Sequence, residues 1–296
     1  MPRLPDNCIE TFEVEFAYAG DNSVTGGTKA LDGISVTIAQ GEFVAVIGRN
    51  GSGKSTFARM LNALLLPTGG TVRIHGIDSR DENQLWDIRS RVGMIFQDPD
   101  SQIIGITVEE DVAFGPENLG LAPLQIRERV QEALHSVAMS QHVHTPPSLL
   151  SGGEKQKVSL AGILAMQPAC IILDEATALL DPVGRKEVMD LVRRLNREKG
   201  ITVLHVTHDM EEACLADRIM MLDAGKTVLD GTPEKVFAHE TALRKAGLEL
   251  PQIAELFALL NQEGFDLPVG ALATDKAIMA LITGMEPGRE LHVHPH

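Results

Sequence analysis

The chain has 296 residues, 44% hydrophobic and 23% charged, with a net charge of -15 from 41 acidic and 26 basic side chains. That is material for one large domain or two small ones with a full core, and so acidic a chain is poorly suited to nonspecific nucleic-acid binding, which relies on Lys and Arg at phosphates. Three scattered cysteines, Cys8, Cys170 and Cys214, show no C-x-x-C spacing, which excludes a zinc site or disulfide framework as the expected reading and favours a reducing compartment.

The elements follow in chain order. MPRLPDNCIE holds no apolar signal core. IETFEVEFAY and ALDGISVTIA alternate apolar and polar residues around the turn-rich insert DNSVTGGT, which predicts an antiparallel sheet. EFVAVIG is almost continuously apolar, as a strand buried on both faces should be. It feeds GRNGSGKST and an apolar-periodic helix, FARMLNALLL, stopped by PTGG. TVRIHG and RVGMIFQ read as strands.

From Asp98 to about Gln167 the texture is helical, with QIRERVQEALHSVAM and SGGEKQKVSLAGILAM as two helices. CIILDE returns to strand. RKEVMDLVRRLNREKG is a helix with a Gly stop, ITVLHVTHD a strand, and DRIMMLDAGKTVLDG a terminal hairpin. Strands alternating with helices imply a parallel α/β core. The middle helical stretch reads as an insertion, and the chain after Thr232 is mostly helical. The longest apolar candidate, VSLAGILAMQPACIIL, is interrupted by Gln167 and Pro168, short of the roughly 18 residues a membrane helix needs.

GRNGSGKS fits the pattern G-x-x-x-x-G-K-[ST] between a strand and a helix, the context that gives the motif its meaning. Gly48, Gly51 and Gly53 allow the tight turn and close approach to phosphate oxygens. Amides from Asn50 through Ser52 to Thr56, with the helix N-terminus, would cradle the phosphates of a nucleotide. Lys54 would reach the β and γ phosphates, and Ser55 would bind Mg²⁺. Asp174, delivered by the apolar CIILD strand, suits Mg²⁺ through water, and Glu175 could accept the proton of an attacking water.

A second glycine-rich stretch, LSGGEKQK, raises a different question. Ser151 and Glu154 make a capping box ahead of an apolar helix. A cap alone does not account for Gly152 and Gly153 in the first turn, where other residues favour helix better. The two glycines leave a bare helix N-terminus, which favours an anion.

LSGGEKQK resembles the signature of ABC-type ATPases, and the family's other motifs follow in order over about residues 8 to 235. The resemblance implies a P-loop NTPase (RecA-like) α/β fold: a parallel-sheet core, an N-terminal antiparallel β subdomain, an inserted helical subdomain and a small helical C-terminal extension. The ATPase domain would run over 7–236, with the helical subdomain about 98–167, and the extension and tail over 237–296. It further implies that Tyr18 stacks on adenine, that Gln97 senses Mg²⁺ and the lytic water, and that Asp181 is the D-loop aspartate. His208 would be the switch histidine at the γ-phosphate. Catalysis would rest on Glu175, His208, Lys54 and Gln97, and Mg²⁺ on Ser55, Gln97 and Asp174. Two subunits would stack head to tail, so that Ser151, Gly152, Gly153 and Asp181 touch ATP bound by the partner.

FQDPDSQIIGITVEEDVAFGPENLGL, AGILAMQPACIILDEAT and GLELPQIAELFALLNQEG resemble the ATPase subunits of energy-coupling factor (ECF) transporters. That implies ATP hydrolysis at the cytoplasmic face of the cell membrane, powering uptake of vitamins or transition-metal ions. The implied partners are a second ABC ATPase (a homologous different chain, or a second copy of this one), a transmembrane T component and a substrate-binding S component, with no nucleic acid. The T component would dock in an apolar groove lined by Ile103, Ile104, Ile106 and Val108, rimmed by Glu109, Glu110 and Asp111. Ala176 stands where most ABC proteins have proline, a feature ECF ATPases often share, and Ala178 where a D-loop serine is common. The rivals are an ATPase of another ABC transporter class, a soluble ABC protein acting on nucleic acid or ribosomes, and a non-hydrolysing regulatory subunit. His292, His294 and His296 alternate in a way that could hold a metal loosely, against the expectation of a disordered terminal tail.

Overall fold

A computed structural model describes residues 7–18, 29–265 and 267. The DNSVTGGT insert and the histidine tail lie outside the described residues. Strands β1 (Asn7–Ala17) and β2 (Lys29–Ala39) pair antiparallel. They alternate buried and exposed residues over much of their length, because one face meets the core and the other meets water. Strands β4 (Gly69–Ile74) and β5 (Ile77–Asp78) complete this four-stranded sheet in the order β2-β1-β4-β5. TVRIHG therefore belongs to the antiparallel layer.

The second sheet has six strands in the order β10-β9-β3-β8-β7-β6. Its members are β3 (Phe43–Ile47), β6 (Val92–Ile95), β7 (Cys170–Asp174), β8 (Thr202–Val206), β9 (Arg218–Asp223) and β10 (Lys226–Gly231). All neighbours are parallel except the terminal hairpin β9–β10. Every residue of β3, β7 and β8 is buried, as the continuous apolar runs require. Alternate residues serve opposite cores. Phe43, Ala45, Ile47, Ile171, Leu173 and Val203 face one cluster, while Val44, Val46, Ile172, Leu204 and Val206 face another, shared with the antiparallel sheet.

Helix α1 (Lys54–Leu61) opens at the phosphate loop. It ends one turn sooner than the apolar pattern predicts, because Ala63 turns left-handed at φ 54° and the Asn62 amide donates to the Val92 carbonyl. Helices α2 (Leu85–Arg91), α3 (Val108–Asn118), α4 (Pro123–Ser136) and α5 (Gly152–Ala165) follow, the last three packed together. Then come α6 (Pro182–Lys199), the single turn α7 (Met210–Ala213), α8 (Pro233–Phe237), α9 (Glu240–Lys245) and α10 (Gln252–Gln262). Among the described residues no helix is long and apolar enough to cross a membrane.

Candidate functional site

The C-terminal ends of β3, β7 and β8 converge on one crevice, the place where open parallel sheets bind ligands. The loop after β3 is shaped by its glycines. Gly48, Gly51 and Gly53 take φ of 152°, 79° and 104°. A Cβ on Gly48 would lie 2.3 Å from the Leu222 carbonyl oxygen, and one on Gly53 2.5 Å from that of Ala30. Only glycine fits either position. Asn50 and Gly51 are exposed at the crest of the loop, and Ser52 is buried beneath them.

Lys54 is only 5% exposed. Its ammonium donates to the carbonyls of Gly48 at 2.7 Å and Arg49 at 3.1 Å, which aims it along the inside of the loop. Burial lowers its pKa, against the opposing pull of Glu175 and Asp174. Ser55 Oγ donates to Asp174 Oδ1 at 2.7 Å across 119 residues of sequence. Burial raises the Asp174 carboxyl, against the hydrogen bond from Ser55. A cleft of about 350 Å³ opens over this pair, lined by Ser55, Gln97, Asp174 and Glu175 among others. Gln97 is exposed just past β6. Its loop is braced by Gln102, which accepts from the Phe96 amide at 2.9 Å and donates to the Met94 carbonyl at 3.2 Å.

Glu175 sits at φ 53°, in the left-handed region. Its amide donates to the Val206 carbonyl at 3.0 Å, so the end of β8 fixes where this residue leaves β7. His208 follows β8, and its Nδ1 lies 3.8 Å from Glu175 Oε2. Tyr18 directly follows β1. Its hydroxyl is hydrogen-bonded to Thr56 Oγ1 at 2.9 Å and its ring stands edge-on to Phe16, half-exposed beside the start of α1.

Ser151, Gly152, Gly153 and Asp181 do not line this cleft. Ser151 caps α5 in a full capping box: its amide and hydroxyl donate to Glu154 Oε2 at 2.8 and 2.7 Å. The bland cap is therefore present. It leaves Gly152 exposed and Gly153 half-buried at the helix N-terminus. Asp181 caps α6, accepting from the Gly184 amide at 3.2 Å. The two helix starts meet, with the position of a Cβ on Gly153 3.4 Å from Gly184 Cα.

The predicted docking groove is partly corrected. Ile104 and Ile106 are 61% and 79% exposed, whereas Val108 is 0% exposed and belongs to the core beneath α3. Asp111 accepts from the amides of Ile104 and Gly105, and Glu110 from that of Ile106. These two acids tie down the loop backbone that carries the isoleucines.

Behind Glu175 and His208 lies a buried cluster that no motif in the sequence marks. His205, fully buried in β8, lies with Nε2 2.8 Å from Glu212 Oε2, and the Thr207 hydroxyl donates to the same oxygen at 2.8 Å. A histidine inside the apolar run VLHV was the available signal, since a buried polar group needs a partner. Burial raises the Glu212 carboxyl, but the hydrogen bonds and charge of His205 and the hydroxyls of Thr177 and Thr207 bring it down to about 2. A depressed carboxyl contributes stability above its unfolded value of 4.5 that disappears as pH falls toward 2. We expect the stability gap between wild type and Glu212→Gln to shrink by about 3 kcal/mol between pH 6 and pH 2, measured by urea unfolding at each pH. A constant gap would show that the carboxylate is not held this way.

The family model for the ABC transporter matches residues 31–178. Among curated relatives, the energy-coupling factor transporter ATP-binding protein EcfA1 of Clostridioides difficile (strain 630) is 50% identical over 93% of this chain and 99% of its own length. EcfA1 of Symbiobacterium thermophilum is 54% identical over 90% of this chain and 94% of its own. Among solved structures, cbiO1 from Clostridium perfringens, part of the ABC transporter complex cbiONQ, aligns with a TM-score of 0.73 at 35% identity, covering 86% of this chain and all of that one. The dimeric structure of MJ0796, a bacterial ABC transporter cassette, aligns with a TM-score of 0.67 at 31% identity, covering 76% and 98%. The chain belongs to the ABC transporter family, as an ATP-binding subunit of the energy-coupling factor type that couples ATP hydrolysis to transport.

Proposed function

We propose that this subunit binds ATP in the crevice above β3 and β7 and hydrolyses it only when a second ATPase subunit closes over it. The observation that carries this is the Ser55–Asp174 hydrogen bond of 2.7 Å beneath a cleft that Gln97 and Glu175 also line. A hydroxyl, a buried carboxylate and an amide oxygen form a hard, all-oxygen donor set, so Ser55, Asp174 and Gln97 fit Mg²⁺. When bound there, Mg²⁺ would neutralise charge on the phosphate oxygens of ATP.

The chain's own residues supply the rest. Loop amides from Asn50 to Thr56, with the N-terminus of α1, hold the phosphates, and Lys54 balances their charge. Tyr18, beside the start of α1, offers its ring to adenine. Glu175 accepts a hydrogen bond from the water that attacks the γ-phosphate and takes its proton. His208 stabilises charge on the γ-phosphate, and its place 3.8 Å from Glu175 sets the two groups to act on one point. The amides of Gly152 and Gly153 at the start of α5, with Ser151 and Asp181, face ATP held by the partner subunit. Catalysis of this kind is mostly positioning and electrostatics.

The unit of function is a pair of ATPases, most simply this chain with a homologous second one, at the cytoplasmic face of a membrane. The partners are a transmembrane T component and substrate-binding S components taking up vitamins or transition-metal ions. Exposed Ile104 and Ile106 beside Glu109 offer the T component an apolar seat with an acidic edge, matched to an amphipathic basic helix. The domain limits follow the same reading: 7–236 as the ATPase domain, with the helical subdomain about 98–167, and 237–296 as the extension. Mild-detergent capture from native membranes, with partners identified by mass spectrometry, tests the assembly. We expect a polytopic T-like protein, a second ABC ATPase and several small membrane proteins. One dedicated membrane set without a second ATPase would mean a homodimer, and capture without any membrane protein would overturn the transporter assembly.

A further inference from the structure

We propose that Glu212 is a positioning residue for hydrolysis: it ties the loop carrying Glu175, the turn carrying His208 and the first turn of α6 into one rigid unit. This rests on the roles of Glu175 and His208 given above. Glu212 is 5% exposed, four residues past His208. Its Oε2 takes the Thr207 hydroxyl and lies 2.8 Å from His205 Nε2. The Thr177 hydroxyl, two residues past Glu175, lies against the same carboxylate. Its Oε1 is 3.7 Å from Arg185 Nε, and neither atom has a hydrogen-bond partner. Arg185 also pairs with Asp209, next to His208, and its amide donates to the Asp181 carbonyl at 2.9 Å. A narrow cavity lined by Glu175, Thr177, Arg185, His208 and Glu212 joins the cluster to the catalytic pair.

Stability alone does not explain such a cluster. An apolar side chain of similar shape in place of a buried ion pair is often as stable or more so. What a carboxylate held at Oε2 by these donors adds is direction. Thr207 immediately precedes His208 and also receives the Asp209 amide at 3.0 Å, so the carboxylate fixes the backbone from which His208 projects. Through Arg185 it fixes the start of α6, whose cap Asp181 faces the other subunit's nucleotide in the proposed dimer. Buried networks of this kind rigidify what they join.

The test is the full-length protein in the membrane complex with which it purifies, carrying Glu212→Gln. Glutamine keeps the shape and removes the charge. We expect the dissociation constant for a fluorescent ATP analogue to stay within about threefold of wild type. The kcat for ATP should fall by about 10- to 100-fold, the size of effect a small misplacement produces. Thr207→Val should give the same split more weakly, and it decides the question if the Gln variant fails to fold. Because His208 stands on one of the elements that Glu212 holds, the loss in the double variant Glu212→Gln/His208→Ala should be smaller than the product of the two single losses. Turnover within about threefold of wild type, equal losses of affinity and turnover, or additive losses in the double variant would each overturn the proposal. Wild-type turnover in His208→Ala would overturn the role of His208 itself, and this inference with it.

Discussion

Glu175→Gln is expected to bind ATP as tightly as wild type and to form an ATP-held dimer that does not come apart, while kcat falls by about 10²- to 10⁴-fold. The substitution is clean for structural reasons. The left-handed backbone at φ 53° strains Glu and Gln alike. The amide bond to Val206 that fixes the residue is made by the main chain. Only the ability to take a proton from water changes, because a carboxamide is no base at neutral pH. The nucleotide contacts lie elsewhere, on Lys54, Ser55 and the loop amides, so affinity should stand. Equilibrium ATP binding, size-exclusion light scattering with and without ATP, and phosphate release measure the three quantities. Near-wild-type phosphate release would refute the role assigned to Glu175.

Gly152→Asp is expected to abolish turnover while leaving the fold and the chain's own ATP site intact. A Cβ at Gly152 meets only Leu180 Cδ2, at 3.4 Å, so the neighbour must give by a few tenths of an ångström. A carboxylate in the first turn of α5 is favourable with respect to the helix dipole, by about 0.3–1 kcal/mol. The monomer should therefore melt within a few degrees of wild type. In the dimer, the same carboxylate would stand where the bare helix end is meant to meet the γ-phosphate of the partner's ATP. Like charges there would prevent closure, and kcat should drop by at least about 100-fold. Phosphate release together with ATP binding to the isolated subunit separates the two effects. Hydrolysis at the wild-type rate would show that this helix end does not face a nucleotide. Loss of ATP binding by the monomer would show that it acts on the chain's own site.

The amino-acid sequence by itself determined those features whose physics is local. A continuous apolar run such as FVAVI or CIILD has no stable place except a strand covered on both faces, and both lie in the parallel sheet. The turn at Gly48–Gly53 was legible because positive φ and missing Cβ atoms are properties of single residues. The capping box at Ser151 and Glu154 spans one helical turn and formed as read. The order of motifs along the chain carried the family.

The tertiary structure alone decided what depends on residues far apart in sequence meeting in space. TVRIHG is an unambiguous strand, but which sheet it joins depends on whether its edges pair with β1 or β3, and the backbone pattern is the same for both. Val108 is as apolar as Ile106, yet Val108, the first residue of α3, packs into the core while Ile106, in the loop before the helix, stays exposed. Ser55 meets Asp174 across 119 residues, and Tyr18 meets Thr56 across 38. The Glu212 cluster draws on β8, α7, α6 and the loop after β7. A glutamate in an amphipathic turn reads as solvated until the fold closes over it, since burial and the donors that compensate it exist only once distant elements have packed.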